Sequence, residues 1–433
     1  MKKGKGIALL PIGVFLVLYL GLGISFEYVM KIPMGFYNVP IVVAFLAAIL
    51  VACLQNRELS FDKKLEVMAQ GVGDKNIITM LLIFLAAGSF VGVVGRSSAE
   101  SVAYFMLSLI PARFSVAVLF VVACFVSVAM GTSVGTITLL TPIAAAVSQA
   151  SGFNLAFCVA SVMGGAMFGD NLSFISDTTI AACNGQGCEM KDKFRENFWI
   201  AFPAAVATLI LILVLSFQTE IQGHVSQSYH LVQVLPYVLV LIGGIIGINV
   251  FVVLISGIVI SLIVGVSMGH IALSEMFQVV GSGVTSMYDI TVISIIVACI
   301  VSLVKEHGGI QFILNLIKSN INGRRGAEFG IALLALFVDA CTANNTVAIV
   351  MTGPIAKEIS EEFDVDPRRS ASLLDMFTSV GQGIIPYGAQ LLSAATLTGL
   401  TPLQIIPNLY YPLLMGVCGV LAIIFRPQSK KLQ

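Results

Sequence analysis

Two acidic residues, Asp170 and Asp177, interrupt an apolar part of the chain within the segment GDNLSFISDTT (169–179). The side chains beside them that carry hydroxyl or amide groups belong to Asn171, Ser173, Ser176, Thr178 and Thr179. If the segment is helical, the spacing of the two acids places both carboxylates on one face. An acid deep in a bilayer costs about 2.5–3.5 kcal/mol, so such residues usually face a cavity and carry function. Because hard cations such as Na⁺ prefer oxygen ligands, the segment predicts a cation site with both acids as ion ligands.

Two more polar segments break apolar runs, GTSVGT (131–136) in the first half and TANNT (342–346) in the second. Their neutral oxygens and amides belong to Thr132, Ser133, Asn344, Asn345 and Thr346. Unwound backbone in hydrocarbon is tolerated only where protein or a water-filled cavity satisfies it. We therefore predict that residues 115–150 and 328–356 form re-entrant hairpins, whose tips meet near the membrane midplane and add ligands to the site. The alternative is that Ser and Thr satisfy the backbone of kinked helices, which explains one break better than four in matched positions.

The breaks recur at a constant spacing, which indicates an internal duplication. Pro142 and Pro354 lie 212 positions apart, and so do Gly169 and Gly381, the last of which begins the fourth break, GQGIIPYGAQ (381–390). Corresponding interrupted helices in two halves of a membrane protein are typical of secondary transporters.

We predict two membrane repeats, residues 1–217 and residues 218–433. The positions in the second repeat that are equivalent to the two acids hold Gln382 and Ala389. The acidic cluster therefore belongs to the first repeat alone, which predicts a single cation site on a pseudo-symmetric frame.

Two further acids, Asp339 and Asp375, lie in predicted membrane segments. Each is predicted to be either a proton carrier or a structural partner for the opposite repeat. For Asp170 and Asp177, the alternative to ion binding is a carboxylate neutralised by a buried hydrogen bond.

Composition places the chain in a membrane. Of its 433 residues, 58% are apolar and 11% are charged, with a mean hydropathy of +0.98, whereas soluble domains carry about 25% charge. The balance of 23 basic and 23 acidic residues predicts no nucleic-acid partner. The eight cysteines form no zinc pattern, and no Gly-rich Lys-Ser/Thr phosphate loop is present. The sequence predicts no cofactor, no ATP drive and no enzymatic activity.

The distribution of basic residues predicts the topology. With two re-entrant hairpins each half crosses the membrane five times, so the halves are inverted relative to each other. With both termini in the cytoplasm, only Lys31, Arg96 and Arg113 lie outside, which leaves 20 of the 23 basic residues inside. The predicted fold class is an all-α polytopic protein of the inner membrane. It has two inverted repeats of about five transmembrane helices each, two re-entrant hairpins and two broken helices.

Two motifs resemble the NhaC family of sodium/proton antiporters, within the superfamily of hairpin-bearing carriers. GDNLSFISDTT (169–179) is similar to the family signature Gly-Asp-Lys-x-Ser-Pro-x-Ser-Asp-Thr-Thr, and GTSVGTITLLTPI (131–143) resembles its Gly-Thr-Ser-x-Gly-Thr segment ending in Pro-Ile. Asn171 replaces the usual Lys, Phe174 replaces the usual Pro, and ANNTVAIV (343–350) stands where the family has Gly-Asp-Gln.

The resemblance implies a site and an assembly. The residues that it implies line the ion and substrate site are Thr132, Ser133, Asp170, Ser173, Ser176, Asp177 and Thr178. A homodimer is implied by superfamily analogy alone.

The predicted function is secondary sodium/proton antiport, in which Na⁺ and H⁺ compete at Asp170 and Asp177. Its partners are membrane lipid and the transported ions. The main alternative is proton- or sodium-coupled exchange of a small organic acid or amino acid, such as malate or lactate, held by Asn344, Asn345 and the helix N-termini at the breaks.

An intramembrane aspartyl protease is a third hypothesis from another class, because Tyr288-Asp289 and Gly169-Asp170 resemble its paired acids. That chemistry needs Gly-x-Gly-Asp after the Tyr-Asp pair, whereas here Met167 occupies the first glycine position and the order is reversed. A sensor that transports nothing would not need breaks in both repeats.

Overall fold

The computed structural model of the protein describes residues 4–32, 38–173, 176–219, 229–246, 248–318, 321 and 323–425. Phe174 and the two chain ends, which are predicted to be cytoplasmic, lie outside these residues. Every regular element in the described residues is a helix. The α-helices of the first half are α1 Leu10–Leu16, α2 Leu22–Ile24, α3 Ile41–Leu54, α4 Phe61–Val72, α5 Lys75–Leu109, α6 Ser115–Met130, α7 Ser133–Ser151, α8 Leu155–Leu172, α9 Asp177–Gln186 and α10 Met190–Gln218. Those of the second half are α11 Leu231–Ile246, α12 Val250–Ser267, α13 Met276–Ser286, α14 Tyr288–Glu306, α15 Gly309–Lys318, α16 Gly323–Thr342, α17 Asn345–Glu362, α18 Pro367–Ile384, α19 Ala389–Thr398, α20 Pro402–Ile405 and α21 Tyr410–Phe425.

Several helices are able to cross a membrane. By length and composition, six spans in the described residues qualify, or up to eight if each of two bent helix pairs counts as one span. The bent pairs join Ser101–Leu109 to Ala112–Val128 at 110° and Pro402–Asn408 to Tyr410–Phe425 at 55°. The protein is therefore an all-helical, multi-pass membrane protein, which confirms the predicted class. The finer predictions of five crossings per half, inverted halves and re-entrant hairpins stay predictions, and α7 is by itself long and apolar enough to span.

The long helix α10 illustrates how these segments meet both protein and lipid. Its side chains at Ile200, Ala204 and Ile212 are buried, whereas Trp199 and Ile210 are exposed. Both faces are apolar, so the exposed face must contact the lipid hydrocarbon rather than water.

The helices around the breaks recur at one spacing in the two halves. Helices α18 and α19 begin and end 212 positions after α8 and α9, respectively. The left-handed glycines that end the shorter helices, Gly187 (φ 73°) and Gly399 (φ 71°), keep the same spacing. Equivalent residues thus form equivalent elements, and the breaks occupy matching places in the chain.

The two predicted hairpin tips share one backbone shape. Gly131 adopts a left-handed conformation (φ 67°) and is followed by the extended Thr132 (φ −153°). In the second half Ala343 is left-handed (φ 51°) and is followed by the extended Asn344 (φ −149°). A left-handed residue other than glycine is uncommon because its Cβ is crowded. This local shape turns the chain from α6 into α7 and from α16 into α17.

Glycines let the helix before each tip approach the helix before each break. A Cβ atom on Gly169 of α8 would lie 2.6 Å from the backbone oxygen of Cys124 and 2.6 Å from the backbone nitrogen of Val128 on α6. A Cβ atom on Gly381 of α18 would collide with the carboxylate of Asp339 on α16. Both helix pairs therefore pack closely at the level of the breaks.

Candidate ion-binding site

A cavity of about 80 Å³ lies where the tips and the breaks meet. Nine of the eleven residues predicted for the ion and substrate site line it: Thr132, Ser133, Asp170, Ser176, Asp177, Thr178, Asn344, Asn345 and Thr346. The remaining residues that line it are Thr79, Ile83, Gly131, Val134, Gln382, Ala389 and Gln390. Residues from both halves of the chain thus border one small space.

The two acids of the cavity have different surroundings. Asp170 is only 6% exposed, and its carboxylate accepts hydrogen bonds from the hydroxyls of Ser133 at 2.8 Å and Ser176 at 2.6 Å. The Ser176 and Thr178 hydroxyls are 2.8 Å apart, which extends this network. Asp177 is exposed and is the first residue of α9. Asp170 therefore ties the first tip to the first break, while Asp177 remains open to the cavity.

Four helices begin at the cavity wall. The first residues of α7, α9, α17 and α19 are Ser133, Asp177, Asn345 and Ala389, and all four line the cavity. The amino end of a helix carries roughly half a positive charge. These ends offset part of the negative charge of the two acids, which helps the cavity to hold them.

The polar side chains just before these helices act as caps. The Thr132 hydroxyl accepts from the Gly135 amide at 3.3 Å, and the Asn344 side chain accepts from the Val347 amide at 2.9 Å. These oxygens satisfy amides that a helix start leaves without partners. As cation ligands they would use their second lone pair.

Two glutamines that were not predicted from the sequence also line the cavity. Gln382 and Gln390 are 1% and 3% exposed, and the side-chain oxygen of each has no hydrogen-bond partner among the described atoms. The Gln390 amide donates to the Ser133 hydroxyl at 3.3 Å, and the Gln382 amide donates to Asp339 at 2.7 Å. A buried oxygen without a donor is available to a cation. Their place in the fourth break was the one signal, since a neutral glutamine is otherwise unremarkable in sequence.

Asn171 and Ser173 do not line the cavity, contrary to the sequence-based expectation. The Asn171 amide donates to the Ser379 hydroxyl at 2.8 Å, and the Ser173 hydroxyl donates to the backbone oxygen of Val128 at 2.7 Å. They lie one and three positions after Asp170 in sequence, but residues at a helix end point in different directions. They connect the break to neighbouring helices.

The two acids predicted as proton carriers or structural partners differ in their contacts. Asp339 is fully buried and accepts from Gln382, while its second carboxylate oxygen has no partner among the described atoms. Asp375 forms an ion pair with Lys193, and both side chains are buried. The distribution of basic residues predicts a cytoplasmic Lys193, whereas the structure buries its side chain completely.

A second, larger cavity of about 290 Å³ shares Asn344 and Ala389 with the first. Its wall also carries charged residues at the end of α14, Lys305 and Glu306, and deeper residues such as Ser294. The positive-inside prediction places the Lys305 end in the cytoplasm. Because the two cavities share Asn344 and Ala389, they predict a path from that side to the acids.

This path gives a labelling prediction. In a chain whose native cysteines are replaced, we expect Ser294→Cys and Ser302→Cys, which both replace lining residues, to react with a membrane-impermeant maleimide in inside-out vesicles. Ser161 is a matched control because it is 3% exposed, against 7% for Ser294, and lines neither cavity. Labelling of Ser161→Cys at the rate of Ser294→Cys, or labelling from the opposite side alone, would contradict the path.

The model of the "Na+/H+ antiporter family" matches residues 9–219 and 223–426. A malate-2H(+)/Na(+)-lactate antiporter of Bacillus subtilis is 21% identical over 98% of this chain and 96% of its own length. The arginine/ornithine antiporter ArcD of Halobacterium salinarum is 22% identical over 83% of this chain and 80% of its own. The Na(+)/H(+) antiporter NhaC of Alkalihalophilus pseudofirmus is 28% identical over 49% of this chain and 44% of its own.

The family match covers nearly the whole chain, so the resemblance seen in the two motifs is confirmed. The relatives are carriers with different cargoes, so the protein is a transporter rather than an enzyme. It is a secondary antiporter, and the chain belongs to the Na⁺/H⁺ antiporter family.

Proposed function

We propose that the protein exchanges Na⁺ for protons across the inner membrane, and that the two ions compete in the 80 Å³ cavity. The observation that carries this proposal is the charge of the lining. It includes the carboxylates of Asp170 and Asp177, and no Lys, Arg or His among the described residues. A cation compensates that charge, whereas an organic anion alone would add to it.

The size of the cavity supports the same choice. A water molecule takes up about 30 Å³ of liquid volume, so there is room for one ion with one or two waters. Pockets for organic ligands usually measure about 300–1,000 Å³. Carboxylate, hydroxyl and amide oxygens are the groups that hard cations prefer.

Competition follows from the two acids. Asp177 borders the cavity and is exposed, and we assign it the exchange of Na⁺ for a proton. Asp170 supplies the second charge. Because it accepts hydrogen bonds from Ser133 and Ser176, it couples ion occupancy of the cavity to the first tip. Gln382 and Gln390 contribute neutral oxygens from the second half.

We further assign Asp339, rather than Asp375, as an additional proton carrier. A buried carboxylate without a cation beside it is strongly disfavoured as an ion, and Asp339 has no ion pair among the described residues, whereas Asp375 pairs with Lys193. Asp339 does not line the cavity, but it accepts a hydrogen bond from Gln382, which does. Its protonation is thereby able to influence a residue of the cavity.

Asp339→Asn is expected to lower the number of protons exchanged per Na⁺ by one, because an amide can accept from Gln382 but cannot release a proton. The measurement is the ratio of proton flux to ²²Na⁺ flux in proteoliposomes. Asp289→Asn changes an exposed acid at the start of α14 and should leave the ratio unchanged. An unchanged ratio in Asp339→Asn would remove this residue from proton transport.

Exchange of an organic acid or amino acid is the second candidate function. The four helix N-termini could hold a carboxylate, and the adjoining cavity of about 290 Å³ approaches the size of organic-ligand pockets. The names of the B. subtilis and H. salinarum relatives belong to this class of cargo.

Flux in proteoliposomes of the purified protein separates the two functions. A Na⁺ pulse that dissipates a preformed pH gradient, with no organic solute present, supports sodium/proton antiport. A gradient that collapses only after malate, lactate, arginine or ornithine is added would overturn it in favour of the second candidate.

A further inference from the structure

Lys193 lies in the interior with its charged group fully surrounded. Its side chain is 0% exposed. The ammonium nitrogen donates to the backbone oxygen of Asn171 at 2.8 Å and to the Thr179 hydroxyl at 2.9 Å, and it forms an ion pair with Asp375. An ammonium group has three donors, and these three acceptors use all of them.

These acceptors lie on both sides of the first break. Asn171 belongs to the last turn of α8, and Thr179 belongs to the first turn of α9. The last carbonyls of a helix lack intrahelical donors, and a cation is favourable at that end. The Asn171 oxygen also accepts from the Asn197 side chain at 2.9 Å, so α10 supplies two donors to a carbonyl that unwinding would leave unsatisfied.

We propose that Lys193 is a tethered cation that fixes the geometry of the first break, and that it is thereby a positioning residue for the acids of the cavity. Asn171 directly follows Asp170, and Thr179 lies two residues after Asp177. One ammonium group therefore holds the chain next to each acid. Asp375 neutralises Lys193, so the clamp adds no net charge to the site.

An ordinary structural ion pair would behave differently. Replacing both members of a buried pair by apolar residues is often neutral for stability. The double variant Lys193→Met/Asp375→Leu removes the charges together, but it leaves the Asn171 oxygen and the Thr179 hydroxyl without the ammonium. Its effect on the break therefore reports the clamp and not an uncompensated charge.

The experiment compares hydrogen exchange in residues 165–186 of the purified native protein and the double variant, and the Na⁺ concentration for half-maximal proton flux in both. We expect exchange in this segment to accelerate in the variant. We expect the half-maximal Na⁺ concentration to rise about tenfold or more, as when partners that orient ion ligands are removed. Lys193→Arg, which keeps a cation, should restore part of both values.

Lys64→Met is the matched control. Lys64 is also buried, at 6% exposed, and it donates to the backbone oxygens of Cys53 and Gln55 at 2.7 Å each, at the end of α3. It lines neither the ion cavity nor the larger one, so exchange in residues 165–186 and the Na⁺ dependence should not change.

The inference rests on the proposed function only for the identity of the ion. Native-like exchange in the double variant would overturn the clamp, and so would faster exchange with an unchanged Na⁺ dependence. Faster exchange in a protein whose native form shows no Na⁺-driven flux would uphold the clamp and refute the proposed function.

Discussion

Asp177→Asn is expected to reduce Na⁺-dependent proton flux by about 100-fold. Two unit charges 4 Å apart interact by about 1 kcal/mol in water and about 4 kcal/mol at the effective dielectric of a protein. Asp177 borders the cavity of about 80 Å³ and is also exposed, so an intermediate loss of about 3 kcal/mol, or two powers of ten, follows. The measurement is the initial rate of proton flux after a Na⁺ pulse in proteoliposomes.

Asp62→Asn is the control for this experiment. Asp62 is an exposed acid in the first turn of α4, away from both cavities, and its replacement makes the same change in net charge. Its flux should match that of the native protein. Native flux in Asp177→Asn would exclude this acid from ion binding, and an equal loss in both variants would point to a general charge effect.

Arg369→Met is expected to lower the free energy of unfolding strongly. Arg369 is 2% exposed, and its guanidinium donates to Glu328 on α16 and to Glu196 on α10, with each contact at 3.1 Å. Removing one partner of a buried ion cluster typically costs about 3–5 kcal/mol, because the remaining charges stay buried without compensation. The measurement is the free energy of unfolding of the purified protein in detergent.

The neighbouring Arg368 provides the control. It is partly exposed and forms an ion pair at 2.6 Å with Asp366, the residue just before its own helix α18. This ion pair does not join α18 to another helix. Arg368→Met leaves a single acid, Asp366, which still accepts from the backbone amide of residue 368, so it should cost less than Arg369→Met. Equal losses would mean that the three-helix cluster stabilises the fold no more than the local pair of Arg368 and Asp366 does.

The signals that predict the breaks are local. A glycine or asparagine at a tip and polar residues inside an apolar run mark a place where a membrane helix cannot continue. The matching helix bounds, such as Asp177–Gln186 and Ala389–Thr398, follow from the same signals in both halves. The membrane class and the family followed from composition and from the first-half motifs.

The rest of the site depended on contacts between distant parts of the chain. Lys193 meets Asp375 across 182 positions, and Gln390 meets Ser133 across 257. Neither contact leaves a trace in local sequence. A lysine near the start of a membrane helix resembles an interfacial positive charge. A neutral glutamine gives no reason to expect a side-chain oxygen that lacks a hydrogen-bond donor. Asn171 lies outside the cavity lining for a related reason, because adjacency to an acid does not fix the direction of a side chain.

The wall shared by the two cavities has a consequence for inhibition. Asn344 and Ala389 border both spaces, so a compound lodged in the 290 Å³ cavity would touch the partition in front of the acids without competing for their charge. Such a compound would block the carrier from the side of Lys305. Because it would not compete with Na⁺ for the acids, added salt would not displace it. The affinity of inhibitors for this carrier would then depend on the shape of the 290 Å³ cavity rather than on the chemistry of the transported solute.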